Sequence, residues 1–148
     1  AFSSEIPRML PTIAREDDVV VMIDQRKLPA KEIYVRCKTA PEVARAIKTM
    51  VIRGAPAIGV AAAMGIALGT RRSTATGTQK FAAEFAKLCD LMAATRPTAV
   101  NLFWAIDRMK QSFAAGIQAG ESVDQLKDRL DHEASRIHDE DVASCRAM

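Results

Sequence analysis

Two arginines in this chain stand in the same local context. Arg53 heads the run Arg53-Gly-Ala-Pro56, and Arg96 is followed by Pro97. A proline's fixed φ suits the first position of a helix, where its missing N–H is not needed. Each guanidinium is therefore expected just ahead of a helix N-terminus. A planar fork of donors beside unpaired N–H groups and the positive end of the helix dipole suits a phosphate. Gly54 lets a ligand approach the main chain closely. The same spacing also describes a buried helix entered through a tight turn, and Arg96 reads equally as a solvated residue at a helix start. Asn101 falls about one turn into the Arg96 helix. Its amide either faces the same pocket or is buried for structural reasons.

Other reactive side chains are less suggestively placed. His132 and His138 lie six apart, not at the three- or four-residue spacing that puts two ligands on one helix face. They read as helix-surface residues. Cys37, Cys89 and Cys145 are odd in number and widely spaced, so neither a disulfide framework nor a paired-cysteine metal site follows. Reduced thiols in a cytoplasmic protein are the natural reading, with Cys37 in a strand and Cys89 in an apolar helix, both core.

The elements that must hold these residues follow from periodicity. Val19–Ile23 is short and β-branched between acidic flanks and reads as a strand. Residues 32–37 alternate and read as a second strand. Leu28-Pro29-Ala30 supplies the turn of a hairpin, residues 11–15 could add a third strand, and residues 1–10 are a loosely held lead-in. After Thr39 the period becomes helical. Thr39 or Ala40 caps a helix whose apolar positions are Val43, Ile47, Met50 and Val51. From Pro56 to about 68 runs an uncharged Ala/Gly helix. Gly59, Ala63 and Ala67, like Ala61, Gly65 and Gly69, recur every four residues. Small residues at that spacing let other helices approach closely, so this helix is expected at the centre of a bundle. It is too short and too poor in leucine for a membrane span.

A polar Ser/Thr/Gly link over 71–78 is the expected flexible loop. Phe81, Phe85, Leu88 and Met92 mark the next helix. Pro97 is expected to open another, from 98 to about 119, with Val100, Phe103, Trp104, Ile106, Met109 and Phe113 as its apolar residues and Asp107, Arg108 and Lys110 on its exposed side. Gly120 ends it. Glu121 or Ser122 starts a charged helix with Val123, Leu126, Leu130, Ile137 and Val142 as its buried stripe. The fold class is thus α+β: a small antiparallel sheet of two or three strands (11–38) followed by about five helices (40–148), in one domain.

Composition excludes several functions. Across 148 residues, 49% are apolar and 26% charged, enough for one globular domain with a sizeable core. The net charge of +3 is spread along the chain, and aromatics make up 5%. Neither a nucleic-acid surface nor a membrane-binding patch follows. The first residues show no secretory signal. The chain begins with Ala1 rather than Met, and its numbering is expected to follow trimming or a chosen boundary.

Three segments carry a resemblance. Arg53-Gly-Ala-Pro-Ala-Ile-Gly59 preceded by Ile47-Lys-Thr-Met-Val-Ile52, together with Ile23-Asp-Gln-Arg-Lys-Leu-Pro29 and Thr95-Arg-Pro-Thr-Ala-Val-Asn-Leu-Phe-Trp-Ala-Ile-Asp-Arg-Met109, is similar to the 5-methylthioribose-1-phosphate isomerases. That family shares its fold with the regulatory subunits of translation initiation factor 2B. The similarity runs from about residue 11 to 148 and covers only the first part of the family's length. It implies a missing C-terminal domain of Rossmann-like type that carries the catalytic cysteine and aspartate. No catalytic residue is therefore expected here, and this chain alone is expected to be inactive. The resemblance implies that Arg53, Gly54, Ala55 and Arg96 contact the phosphosugar, that no metal or organic cofactor takes part, and that the assembly is a cytoplasmic homodimer. The remaining half of the enzyme, in the same or a separate chain, would be a further partner. Most family members carry a Trp where this chain has Ala14-Arg15, so packing of the first strand is expected to differ. Two other activities stay open: a non-catalytic regulatory subunit, which tends to lack the full motif combination, and an isomerase of ribose 1,5-bisphosphate.

Overall fold

The computed structural model describes residues 13–16, 18–24, 34–49, 51 and 55–147. In chain order they form strands β1 (Ile13–Glu16), β2 (Val19–Ile23) and β3 (Tyr34–Cys37), then helices α1 (Ala40–Lys48), α2 (Ala55–Arg71), α3 (Thr78–Ala93), α4 (Val100–Gln118) and α5 (Val123–Ala147). The lead-in 1–10, the turn residues Leu28, Pro29 and Ala30, and Met50 lie outside the described residues.

The strands pair antiparallel in the order β1-β2-β3, so β1 is the third strand expected within 11–15. The register sets Ile13 opposite Met22 and Val20 opposite Cys37. Those four side chains therefore share one face of the sheet, and each is at most 1% exposed. Arg15, in the segment where the resembled family carries Trp, donates to Asp131 at 2.9 Å and ties the sheet edge to α5.

α1 starts with a capping box. The Thr39 hydroxyl accepts from the Glu42 N–H at 3.3 Å, and the Glu42 carboxylate accepts from the Thr39 N–H at 3.1 Å. α2 is the centre of the molecule. Every side chain from 57 to 68 is buried, and the helix touches α1, α3, α4, α5, β1 and β2. Its glycines make that approach possible. A Cβ at Gly59 would lie 2.7 Å from the Asn101 carbonyl oxygen of α4, and one at Gly65 would collide with Met92 of α3 and Val43 of α1. Each fully buried Leu, Ile or Phe around α2 contributes roughly 1.5–3 kcal/mol.

α2 also runs past 68 to Arg71, because its last turn finds partners. The Thr70 hydroxyl donates to the Ala67 carbonyl at 3.0 Å. Arg71 pairs with Asp128 at 2.8 Å and with Asp131 at 2.5 Å. The link expected to be flexible is consequently fastened at several points. Lys127 donates to the Ser73 carbonyl at 2.7 Å, the Ser73 hydroxyl donates to Glu84, and Ala75 is buried.

Two expectations for α4 are corrected. Pro97 does not open the helix. It sits in a turn closed by the Ala99 N–H donating to the Arg96 carbonyl at 2.9 Å. Ala99 then adopts an extended conformation (φ −83°, ψ 105°), so the helix starts only at Val100. Nor does Arg108 lie on the solvent side with Asp107 and Lys110. Its side chain is 19% exposed because α5 presents Glu133 and Glu140 to it. Of the apolar residues, Ile106, Met109 and Phe113 are buried, whereas Phe103 and Trp104 remain 37% and 53% exposed.

α4 ends in a Schellman motif at Gly120 (φ 73°). The Gly120 N–H donates to the Ile117 carbonyl and the Glu121 N–H to the Gly116 carbonyl. Ser122 then caps α5 through a reciprocal pair of bonds with Gln125. The stripe Val123, Leu126, Leu130 and Ile137 is buried as expected; the Val142 side chain lies outside the described residues.

Candidate functional site

The N-terminal turns of α2 and α4 meet at one cleft of about 200 Å³, closed on its third side by α5. Neither first turn carries an acidic residue, so neither helix dipole is offset there by its own sequence. α2 contributes Pro56, Gly59 and Val60, and α4 contributes Asn101 and Trp104. The closeness of the two helices has a specific cause. With no Cβ on Gly59, the Asn101 carbonyl can sit against the α2 backbone.

Arg96 lies at the base of the turn that leads into α4. Its side chain is half-buried, and its Nη1 is fully buried with no hydrogen-bond partner. A guanidinium nitrogen cannot shed its proton, and leaving such a donor buried and unmet costs about 1–3 kcal/mol or more. An anion would satisfy it. Asn101 is half-buried on the cleft wall, which favours the pocket-facing alternative. Arg53 and Gly54 lie outside the described residues. Ala55 is the first residue of α2, and its side chain lies outside them too. Pro56, the next residue, lines the cleft together with Asn101.

The far wall comes from α5, with Ile137, Glu140 and Asp141. Arg108 joins α4 to it. The guanidinium donates to Glu133 at 2.5 Å and to both Glu140 oxygens at 2.6 and 2.5 Å, and it stacks on Trp104 with 5.5 Å from Cζ to the ring centroid. Those carboxylates hold Arg108 well above the usual guanidinium range, and Arg108 in turn holds Glu140 below the usual carboxylate range.

Cys37, Cys89 and the two histidines are not among the residues that line the cleft. Cys37 and Cys89 are buried, and burial pushes both thiols up to about 11. The Cys145 side chain lies outside the described residues. His132 is exposed, but His138 is not the surface residue its spacing suggested. Its side chain is 18% exposed and its Nε2 is buried without a partner. Among the described residues no cluster of three or more His, Cys, Asp or Glu could hold a metal ion, and no helix is long and apolar enough to cross a membrane.

Of the residues that the sequence singles out, Asn101 lines the cleft; Trp104, Glu140 and Asp141 line it too and were not singled out. Asn101, Trp104 and Arg108 fall three and four apart on one helix face, a signal that could have placed Trp104. Nothing in the sequence ties Glu140 and Asp141 to that face.

Residues 51–148 match the model of the Initiation factor 2 subunit family. The chain is 51% identical over 137 residues to a methylthioribose-1-phosphate isomerase of Geobacter metallireducens, covering 93% of this chain and 39% of that protein. It is 53% identical, with the same coverage, to one of Geobacter sulfurreducens. Among solved structures, the 5-methylthioribose 1-phosphate isomerase of Pyrococcus horikoshii superposes with a TM-score of 0.83 at 41% identity, covering 88% of this chain and 36% of that one. Subunit delta of the translation initiation factor eIF-2B from A. fulgidus gives 0.82 at 39% identity, covering 90% and 38%. The chain thus spans well under half the length of the proteins it matches, and corresponds to their N-terminal part.

Proposed function

The chain belongs to the Initiation factor 2 subunit family, and from that premise we propose that it is the substrate-contacting N-terminal part of a 5-methylthioribose-1-phosphate isomerase. The reaction converts the aldose 5-methylthioribose 1-phosphate into the ketose 5-methylthioribulose 1-phosphate, a step of methionine salvage. The observation that carries this reading is the buried, partnerless Nη1 of Arg96 in the turn that leads into α4, a helix whose first turns line the cleft. Identities of about half to isomerases from two Geobacter species support it.

In this reading Arg96, Arg53 and the backbone of Gly54 and Ala55 take the phosphate, and Asn101 takes a sugar hydroxyl. The resemblance assigns ring opening, and the movement of a proton or hydride between C1 and C2, to a cysteine and an aspartate of a second domain. The 148-residue chain by itself therefore gives no turnover, and the cleft's part is to bind, orient and exclude water. A homodimeric assembly in the cytoplasm, with the other half of the enzyme in the same or a separate chain, belongs to the same proposal.

A non-catalytic regulatory subunit is the second reading, supported by the superposition on the eIF-2B subunit. The combination Arg53-Gly-Ala-Pro56 with Thr95-Arg-Pro-Thr-Ala-Val-Asn101 favours the enzyme. The test is titration of the full-length protein with 5-methylthioribose 1-phosphate. Arg53→Ala and Arg96→Ala should each weaken binding by about 1.5–3 kcal/mol, the scale of a charged hydrogen bond. Unchanged binding in both variants would remove the pocket.

A further inference from the structure

The cleft is electrically lopsided. At one end lie the first turns of α2 and of α4, the helix that the Arg96 turn leads into. At the other end stand the α5 carboxylates of Glu140 and Asp141, with Trp104 and Ile137 between them. Arg108 neutralises Glu140, but among the described residues Asp141 is paired to no cation. A ligand with an anion at each end would set its second charge against Asp141, a juxtaposition that costs several kcal/mol.

We propose that the part of the cleft between Trp104 and α5 is the subsite for the uncharged, apolar end of a sugar monophosphate, with Trp104 and Asp141 setting its specificity. The proposal rests on the phosphate being held at Arg96. Trp104 is 53% exposed on the cleft wall, so its ring is open to a ligand. It is also held in place. The Arg108 guanidinium lies over its ring and is itself fixed by three bonds to Glu133 and Glu140. Arg108 is thus a positioning residue: it links the indole on α4 to the carboxylate on α5, so both walls are set before the ligand arrives. About 200 Å³ is small beside the ~300–1,000 Å³ of sites that enclose a whole ligand, and suits one end of a sugar phosphate.

The test measures dissociation constants of the full-length protein for three probes: 5-methylthioribose 1-phosphate, ribose 1-phosphate and ribose 1,5-bisphosphate. Trp104→Ala should lower the preference for the methylthio sugar over ribose 1-phosphate by about tenfold, the scale of a lost apolar contact in a pocket. Trp104→Phe should fall between, which guards against misfolding of the alanine variant. Asp141→Asn should raise the relative affinity for the bisphosphate by about tenfold. Arg108→Lys, which keeps the charge but loses the fork, should lower the first preference as well. Equal weakening for all three probes in the Trp104 variants would show a merely structural role and overturn the proposal. A bisphosphate preference unmoved by Asp141→Asn would do the same. Arg96→Ala separates the two readings, since it should weaken all three probes together. If it weakens none, the phosphate site fails whatever Trp104 does.

Discussion

The two buried thiols show how environment sets chemistry at a single residue. Desolvation raises both Cys37 and Cys89 from 9.0 to about 11. Glu42 adds to the rise at the first, and Lys110 opposes it at the second. Thiolate is the reactive form, so neither residue should react with iodoacetamide at neutral pH until the chain is unfolded. Rapid native labelling of either would contradict the packing described. The sign of the linkage follows directly. A folded value above the unfolded one means that the folded chain holds these protons more tightly. That stability is fully present below about pH 9 and is lost as pH rises through about 11. The melting temperature should therefore fall across that window, and fall less in Cys89→Ala.

Among the elements, α2 and the α4–α5 pair carry the site, and each can be tested separately. Gly59→Ala would drive a Cβ to within 2.7 Å of the Asn101 carbonyl oxygen. Backbone cannot yield as a flexible side chain does, so α2 and α4 must separate, at a cost of about 1–3 kcal/mol. Because Asn101 and Pro56 line the cleft, phosphosugar affinity should fall with stability. Gly77→Ser is the control. A Cβ there meets nothing within 4 Å, and a serine at that N-cap should leave urea denaturation unchanged or slightly improved. Arg108→Ala removes the chief partner of Glu133, a carboxylate whose side chain is 11% exposed. Breaking a buried pair costs about 3–5 kcal/mol, and partial exposure here puts the loss near the lower end. Urea midpoints would check it.

Over the whole molecule, what could be read in advance was whatever depends on neighbours in sequence. The burial of α2 on all sides follows from an uncharged Ala/Gly run, and the strand β2 from five successive residues with β-branched side chains at most positions. The capping box at Thr39 and the stop at Gly120 are likewise local. Arg108 was misplaced because Asp107 and Lys110 suggest a common solvent face. Its true surroundings, Glu133 and Glu140, come from α5 and appear only once that helix is packed. Pro97 misled for a related reason. A proline permits a helix start, but the Ala99–Arg96 turn takes that segment first. Arg96 could be singled out from its type and context, whereas the cleft is made by three helices meeting. The most direct test of that cleft's role is turnover of 5-methylthioribose 1-phosphate by the full-length protein, with and without Arg96→Ala. The expected result is formation of the ketose phosphate by the wild type and a KM raised at least tenfold in the variant, the kinetic counterpart of a lost charged hydrogen bond of about 1.5 kcal/mol or more. No ketose from the wild type, or an unchanged KM in the variant, would contradict it.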